Sequence, residues 1–500
     1  MKKIFICAMV GICFGTVFTG CGRISGSDSE TETTEAPVVY EAENALLQGE
    51  AEVETTQQGF SGSGYVTGIN NEGDSCTFTV NIEETGFYDL NFKSASQGGY
   101  KENFVVVDGE SMGVVSVEDK NFTDSILKRV YMETGEHTVA MEKSWGWINL
   151  DNLSVSKSTG LDQDIYQVSA KLVNENANDD AKRLMSYMCD IYGTKFLSGQ
   201  YSEGGAYSHD MACVWKENGG KYPAVLGLDM IDYTPSRVAN GTKGTSTENA
   251  IEYWKKGGIV TFCWHWNAPE KYLTGQWYSG FYTQYTDINL EKIMNGEDTE
   301  GYDLLMKDID AIAQQLLILQ DAGVPVLWRP LHEASGGWFW WGASGPEAYK
   351  KLYVLLYDKL TNEYGLNNLI WIWNGQDPDW YPGDEYVDII GEDIYPGEQV
   401  YTSQIGKYLA ALDYTNVKKM IVLSENGCLF DPDLAIRDGA MWGFFSTWGG
   451  EFVSKSGGLN IYSEQYTDKE MLKKVYASES VITLDELPDL TTYKIRDDAN

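Results

Sequence analysis

Two glutamates carry the chemistry this sequence offers most openly. Glu333 closes the run Val326-Leu-Trp-Arg-Pro-Leu-His-Glu, and Glu425 closes Met420-Ile-Val-Leu-Ser-Glu. Asp229, His265, Asn374, Asp393 and Trp448 close other apolar runs in the same way. Two carboxyl groups flanking a bond, one protonated and one ionised, can break a glycosidic linkage. In retaining enzymes such groups stand ~5–5.5 Å apart, in inverting ones ~6.5–9.5 Å, so their separation decides the course of the reaction. A lone strand-end Glu among 74 acidic residues reads by default as a salt bridge or a cap. Two of them, each with aromatics alongside, favour catalysis.

The aromatics concentrate where the first glutamate lies. Ten of the 16 Trp fall within residues 264–380, and Gly336-Gly-Trp338-Phe339-Trp340-Trp341-Gly342 follows Glu333 directly. Neither helix nor strand periodicity can bury four consecutive rings, so some should line a cleft and others plug the loop onto the core. His332-Glu333 lacks the second His of a zinc-protease helix, and the chain has only four His, which argues against metalloprotease chemistry. No complete nucleophile–base set for a peptidase or esterase appears either. Whichever of the two serves as the acid would have to stay protonated near neutral pH, with the other carboxylate and the Trp wall as the expected causes.

Positioning these residues requires strands that end together. Apolar runs at 195–199, 224–229, 259–265, 326–333, 369–374, 388–393, 420–425 and 442–448 make eight candidate strands. Helical spacing recurs between them, at 304–322 and 349–360, and a further helix is expected at 177–191 ahead of the first strand. Eight strands with intervening helices over about 300 residues suggest a (β/α)8 TIM barrel, whose catalytic groups sit at the C-terminal strand ends. A doubly wound sheet is the alternative, but Ser198-Gly-Gln-Tyr-Ser is not its Gly-rich phosphate turn.

Ahead of the barrel, residues 38–157 hold short alternating runs such as Cys76-Thr-Phe-Thr-Val-Asn-Ile and Phe104-Val-Val-Val-Asp, with no long amphipathic helix. This pattern predicts a β-sandwich of jelly-roll type. If its first and last strands lie side by side, Glu41, Glu43 and Asp151 meet as hard oxygen ligands suited to Ca²⁺; otherwise they are edge-strand carboxylates. Residues 158–170 read as a linker, 171–490 as the barrel and 491–500 as a tail.

The Tyr40-Glu-Ala-Glu43 opening, Gly59-Phe-Ser-Gly-Ser-Gly-Tyr65-Val and the closing Trp147-Ile-Asn-Leu-Asp151 resemble carbohydrate-binding modules of families 35 and 6. That resemblance implies a structural Ca²⁺ around Glu41, Glu43 and Asp151, and a sugar site using Tyr65, Trp145 or Trp147, and Asn149. Trp328-Arg-Pro-Leu-His-Glu333 with Trp338-Phe-Trp-Trp resembles glycoside hydrolase family 26, mostly β-mannanases. Thr261-Phe-Cys-Trp-His265, Asp393-Ile-Tyr395 and Ser424-Glu-Asn-Gly427 extend the likeness over about 300 residues. It implies Glu333 as acid/base and Glu425 as nucleophile of a retaining endo-β-1,4-mannanase acting on mannan, glucomannan or galactomannan, with no catalytic cofactor. It also implies that His265, His332 and Tyr395 shape the subsite of the attacked sugar, that Trp448 is a platform, and that Trp338 and Trp277 lie further along the cleft. Cys263 and Ala334-Ser335 depart from commoner versions, which bears on subsite preference. A β-glucanase or β-1,3-xylanase of the same family, and a glycan-binding protein with an inactive barrel, are the competing readings.

Lys2 and Lys3 before an apolar stretch predict a signal peptide over residues 1–20, and Val17-Phe-Thr-Gly-Cys21 resembles a bacterial lipobox in which Phe18 replaces the usual Leu. Lipidation of Cys21 would anchor the exported protein to a bacterial cell surface through a flexible tether over 21–37. Without it the protein would be secreted. Cys76, Cys189, Cys213, Cys263 and Cys428 then remain, odd in number and without a CxxC pair, so buried thiols are expected. A formal charge of −37 argues against a nucleic-acid partner and against a basic membrane patch. The remaining expected partner is the polysaccharide, bound by a monomer.

Overall fold

The computed structural model describes residues 36–202, 204–455 and 460–499. The expected signal peptide, Cys21 and nearly all of the tether lie outside these residues.

Residues 38–157 form two facing antiparallel sheets, as the alternating pattern requires. One holds Val38–Glu41, Glu52–Glu54, Tyr65–Thr67, Gly86–Ser96, Thr123–Met132 and Ile148–Lys157; the other holds Leu46–Gln48, Ser75–Ile82, Lys101–Val107, Glu110–Val117 and Gly135–Lys143. Inward residues such as Phe78, Val80, Leu90, Phe92, Val105 and Leu153 interleave as the core between them. The first and last strands do pair, with Tyr40 opposite Leu153 and Glu41 opposite Asn152.

Eight parallel strands then close a barrel: Gly199–Tyr201, Val225–Asp229, Ile259–Trp264, Val326–Pro330, Leu369–Trp373, Ile389–Ile394, Met420–Asn426 and Phe445–Thr447. Each overlaps one of the expected runs, the first only at Gly199. The first run splits, because Phe196–Leu197 pairs instead with Val481–Ile482 across the barrel's base. Helices Asp179–Ile191, Thr299–Asp321 and Pro346–Tyr357 stand where helical spacing places them. Period-2 alternation sorts each strand. Leu327, Ile370, Ile372, Ile389 and Val422 join one core, while Trp328, Trp371, Trp373 and Ile390 pack outward against the helices.

The sandwich is docked on the barrel. The Thr123–Met132 strand lies against helices Ile405–Leu412 and Pro432–Asp438. Arg129, at φ 60°, stacks 4.1 Å over Phe87 and donates to the carbonyls of Asp438 (3.4 Å) and Thr159 (3.2 Å). Arg437 covers Tyr131 at 4.2 Å, and Thr402 Oγ1 donates to the Ser111 carbonyl. The linker is pinned as well, since Tyr166 donates to the Gly439 carbonyl at 2.7 Å. Cys76, Cys189, Cys213, Cys263 and Cys428 are all free and buried.

Candidate active site

Strand alternation carries polar groups up the barrel axis and then breaks at the mouth. In the fourth strand Leu327 points inward, so Arg329 does too, and it is completely buried. Leu331 and Glu333 then take positive φ values of 52° and 53°, which turns the chain over the mouth. The Glu333 amide donates to the Asn374 carbonyl at 2.7 Å, tying that turn to the fifth strand. In the seventh strand the register slips beside Ser424, since Glu392 pairs with Leu423 but Asp393 pairs with Glu425. This bulge lets Ser424 and Glu425 both face the mouth, where strict alternation would turn one outward.

Glu333, Asp393 and Glu425 thereby converge, with one carboxylate oxygen of each within 4.8 Å of the others. Arg329 is the hub that makes this tolerable. It donates to Asp393 (2.7 Å), Asn374 (2.9 Å), the Tyr201 hydroxyl (3.1 Å) and Glu425. Tyr395 donates to the other oxygen of Glu425 at 2.6 Å, and Ser424 to Asp393 at 2.7 Å. Glu425 is thus fixed as an acceptor on both oxygens, and a guanidinium already fills the space a cation would need.

Glu333 is held differently. Among the described residues its carboxylate accepts one hydrogen bond, from Trp338 Nε1 at 2.9 Å. Burial raises its pKa most and Glu425 adds to this, while Trp338, Arg329 and His265 pull back, leaving it at about 7. Its pKa is therefore raised, but one expected cause is corrected: Trp338 donates to the carboxylate and so lowers the value.

Beside the carboxylates stand two histidines. His265 Nδ1 meets Asp229 at 2.6 Å, and His265 Nε2 faces His332 Nε2 at 3.2 Å. Burial pulls His265 down, but Asp229 outweighs it with help from Glu425 and Glu333, so its pKa lies above the ordinary value. For His332, burial and then Arg329 and His265 push the pKa well below it. Asp229, Cys263 and His265 also lie close enough for a metal, but burial keeps the Cys263 thiol protonated and Asp229 already occupies His265 Nδ1.

The four-ring run divides as its lack of periodicity requires. Trp338 is 48% exposed over the mouth, whereas Phe339, Trp340 and Trp341 are buried. Trp341 Nε1 donates to the His332 carbonyl and Trp340 Nε1 to the Trp266 carbonyl, so the buried rings lock the loop. Gly336 is required beneath Trp338, because a Cβ there would fall within the indole. Trp448 packs on Tyr201 (4.7 Å) and His265 (5.7 Å) at the mouth. Trp277 is set apart, packed on Tyr278 with the Arg237 guanidinium 5.5 Å over its ring. Tyr201 and the fourfold role of Arg329 were not assigned from sequence; the signal for Arg329 was its position two residues after an inward Leu.

In the sandwich, Trp145 and Trp147 are both 53% exposed, and Tyr100 joins Trp145 edge-on at 5.5 Å. Tyr65 is buried between Phe60 and Phe122, with its hydroxyl at Thr56, so it offers no open face. Asn149 is buried too, bonded to Gln57 and Gln97. Glu41, Glu43 and Asp151 all bond one loop: Ser61 Oγ donates to Glu41 (2.8 Å), the Ser61 amide to Asp151 (2.7 Å) and the Ser63 amide to Glu43 (2.6 Å).

The sequence profile of glycosyl hydrolase family 26 matches residues 173–486, and that of carbohydrate binding module family 35 matches residues 38–158. A mannan endo-1,4-beta-mannosidase of Thermothelomyces thermophilus is 40% identical over 491 residues, covering 97% of this chain and 98% of that protein. Mannan endo-1,4-beta-mannosidase B of Piromyces is 35% identical, covering 90% of this chain and 77% of its own length. Among solved structures, a Podospora anserina GH26-CBM35 beta-(1,4)-mannanase matches with TM-score 0.64 and 38% identity, over 91% of this chain and 99% of that one.

Proposed function

This chain belongs to glycosyl hydrolase family 26, with a family 35 carbohydrate binding module ahead of the barrel, and from that premise we propose that it is a retaining endo-β-1,4-mannanase. The observation that bears on the stereochemistry is the approach of one oxygen each of Glu333 and Glu425 to within 4.8 Å, short of the ~6.5–9.5 Å at which inverting enzymes hold their two carboxyls apart. Glu425 attacks the anomeric carbon while Glu333 gives its proton to the departing glycosidic oxygen. This forms a glycosyl ester on Glu425 and a free hydroxyl on the leaving chain. Water then attacks the same carbon, Glu333 takes its proton, and the Glu425 carboxylate departs.

The arrangement explains how one residue serves as both acid and base. Glu425 raises the Glu333 pKa while it is ionised. Once esterified it carries no charge, that contribution vanishes, and Glu333 ionises to act as base. Arg329 and Tyr395 aim the nucleophile, and His265, His332, Trp448 and Trp338 bound the space where the sugar sits. Trp277 contacts a more distant sugar. Chromatography of products from glucomannan, galactomannan, β-glucan and β-1,3-xylan tests the reading. Internal cleavage of the mannans supports it, and confinement of activity to either of the last two replaces it.

Three finer assignments complete the proposal. The sandwich binds polysaccharide through Trp145 and Trp147, checked by affinity electrophoresis of Trp145→Ala and Trp147→Ala. Glu41, Glu43 and Asp151 would hold a structural Ca²⁺, a reading supported by Glu43 Oε2, which is buried without a partner; their oxygens are not gathered within 4.8 Å of one another as those at the barrel's mouth are, and Lys93, 3.0 Å from Asp151, would have to give way. A Tm that rises with Ca²⁺ and falls with chelator supports this. The protein is a monomer anchored to the cell surface through lipidated Cys21, which detergent partitioning of Cys21→Ala and a sedimentation measurement check.

A further inference from the structure

We propose that Thr283, in the loop after the third barrel strand, is a positioning residue of the reaction: it clasps the loop after the fourth strand so that the Trp338 indole N–H stays on Glu333. The proposal rests on Glu333 being the acid/base. Thr283 bonds two consecutive carbonyls of that loop. Its Oγ1 donates to the Gly337 carbonyl and its amide to the Trp338 carbonyl, both at 2.8 Å. The Trp340 amide donates back to the Phe281 carbonyl at 3.2 Å, and Tyr282 and Phe339 form the antiparallel bridge between these bonds. The side that carries Thr283 is itself fixed, since Leu273 bridges to Thr286 and the Thr274 amide donates to the Tyr285 carbonyl at 3.0 Å.

The other side needs holding. Gly336 and Gly337 precede Trp338 and have no side chains to pack. Gly337 sits at φ 69°, and a Cβ on it would meet nothing within 4 Å, so its backbone conformation, not a tight fit, calls for glycine. Downstream, Phe339, Trp340 and Trp341 are buried and anchor the chain, whereas Trp338 itself is half exposed. The two carbonyls that Thr283 grips belong to the peptide groups on either side of the Trp338 Cα. Each peptide is planar, so holding both fixes φ and ψ at Trp338 and with them the direction in which its side chain leaves the backbone. That side chain then donates from Nε1 to Glu333 Oε2 at 2.9 Å. The clasp therefore ends on the carboxyl that must give up a proton in the first step and take one in the second.

Thr283→Val keeps the shape and the amide and removes the Oγ1 donor. Losing one neutral hydrogen bond raises the unclasped population about fivefold. In that population Glu333 lacks its donor and holds its proton more tightly. The alkaline limb of kcat/KM on mannohexaose should therefore move up by about 0.3 pH unit, with a plateau about threefold lower. Thr283→Ser retains a hydroxyl and should bring the limb back. In a Trp338→Phe background Thr283→Val should leave the limb where it is, because the indole through which it acts is gone. The charged or titratable groups that face Glu333 are Arg329, His265, Asp393, Glu425, Tyr282 and Tyr395, and among the described residues Thr283 hydrogen-bonds none of them. Independently of turnover, the ¹⁵N-tryptophan spectrum should hold one indole signal, absent in Trp338→Phe, that follows the titration of Glu333 in the wild type and follows it less in Thr283→Val. A limb that stays put in Thr283→Val, a failure of Thr283→Ser to restore it, an equal shift in both backgrounds, or an indole signal untouched by Thr283→Val overturns the proposal. Wild-type protein that cleaves no glycan overturns the glycosidase reading instead, and the indole signal then decides the clasp alone. If Thr283→Val does not fold, Thr283→Ala is read in the same way.

Discussion

Trp338→Phe should carry activity to higher pH. Among the described residues the indole N–H is the one hydrogen-bond donor to the Glu333 carboxylate, at 2.9 Å, and it favours the ionised form. A hydrogen bond to a charged group contributes about 1.5–3 kcal/mol, but Trp338 is 48% exposed and water competes for the same oxygen. Taking ~1 kcal/mol as the surviving part, and 1.36 kcal/mol per pKa unit, the shift is about 0.7 unit upward. Glu333 lies at about 7 in the native site, so the variant should titrate between about 7.5 and 8. The sign follows from the chemistry. The first step needs protonated Glu333, so kcat/KM is full below its pKa and lost above it, and raising the pKa displaces the alkaline limb upward. The assay is kcat/KM on mannohexaose from pH 5 to 9 at constant ionic strength. Loss of indole surface will lower the plateau, but the position of the limb is independent of its height. A limb that stays in place, or moves down, would refute the assignment of Glu333 as the group protonated by this environment.

Three further outcomes follow from the same geometry. Glu333→Ala and Glu425→Ala should each lower mannan hydrolysis by at least about 10³-fold, and azide should rescue the two with opposite anomeric products, β from the first and α from the second, as NMR of the azides would show. Tyr395→Phe removes the 2.6 Å hydrogen bond to Glu425 without touching Arg329, so kcat should fall about tenfold to a hundredfold with an unchanged Tm. Arg129→Ala should weaken the docking of the sandwich on the barrel by about 1–2 kcal/mol; calorimetry would show the sandwich melting earlier, while kcat/KM on mannohexaose stays constant.

The barrel was legible because burial on both faces makes its strands uninterrupted apolar runs. All eight are visible, but not their extents: the first run meets its barrel strand only at Gly199, since nothing local tells 196–197, paired at the base, from 199–201 in the barrel, and the runs at 326–333 and 442–448 are longer than Val326–Pro330 and Phe445–Thr447. The sandwich was legible from alternation, and the pairing of its first and last strands followed from architecture. Its surface was less so. Trp145 and Trp147 are both exposed, but in the connection between Gly135–Lys143 and Ile148–Lys157, with Trp147 at φ 59°, so strand alternation does not place them; Tyr65 looked equally available but is sealed by Phe122, more than fifty residues away in sequence. Packing between such distant residues leaves no trace in local spacing.

The active site was legible in its residue types and not in its wiring, and the seventh strand shows why. Reading Met420, Val422 and Ser424 inward by alternation places Glu425 on the outer face, among the helices, where an ionised carboxylate without a partner would be expensive. A barrel obeying its own period would therefore hide the nucleophile. The bulge beside Ser424 reverses that, and what holds it is polar: Ser424 Oγ bonds Asp393 at 2.7 Å, and Arg329 bonds Asp393 and Glu425 together. Gly391 is part of the same device, because a Cβ there would lie 2.6 Å from Ser424 Oγ and displace that side chain. The irregularity that aims Glu425 is thus specified by an Arg, an Asp and a Gly on two other strands. Each is unremarkable in its own segment, and together they form the one arrangement in which three acids can share the barrel's mouth.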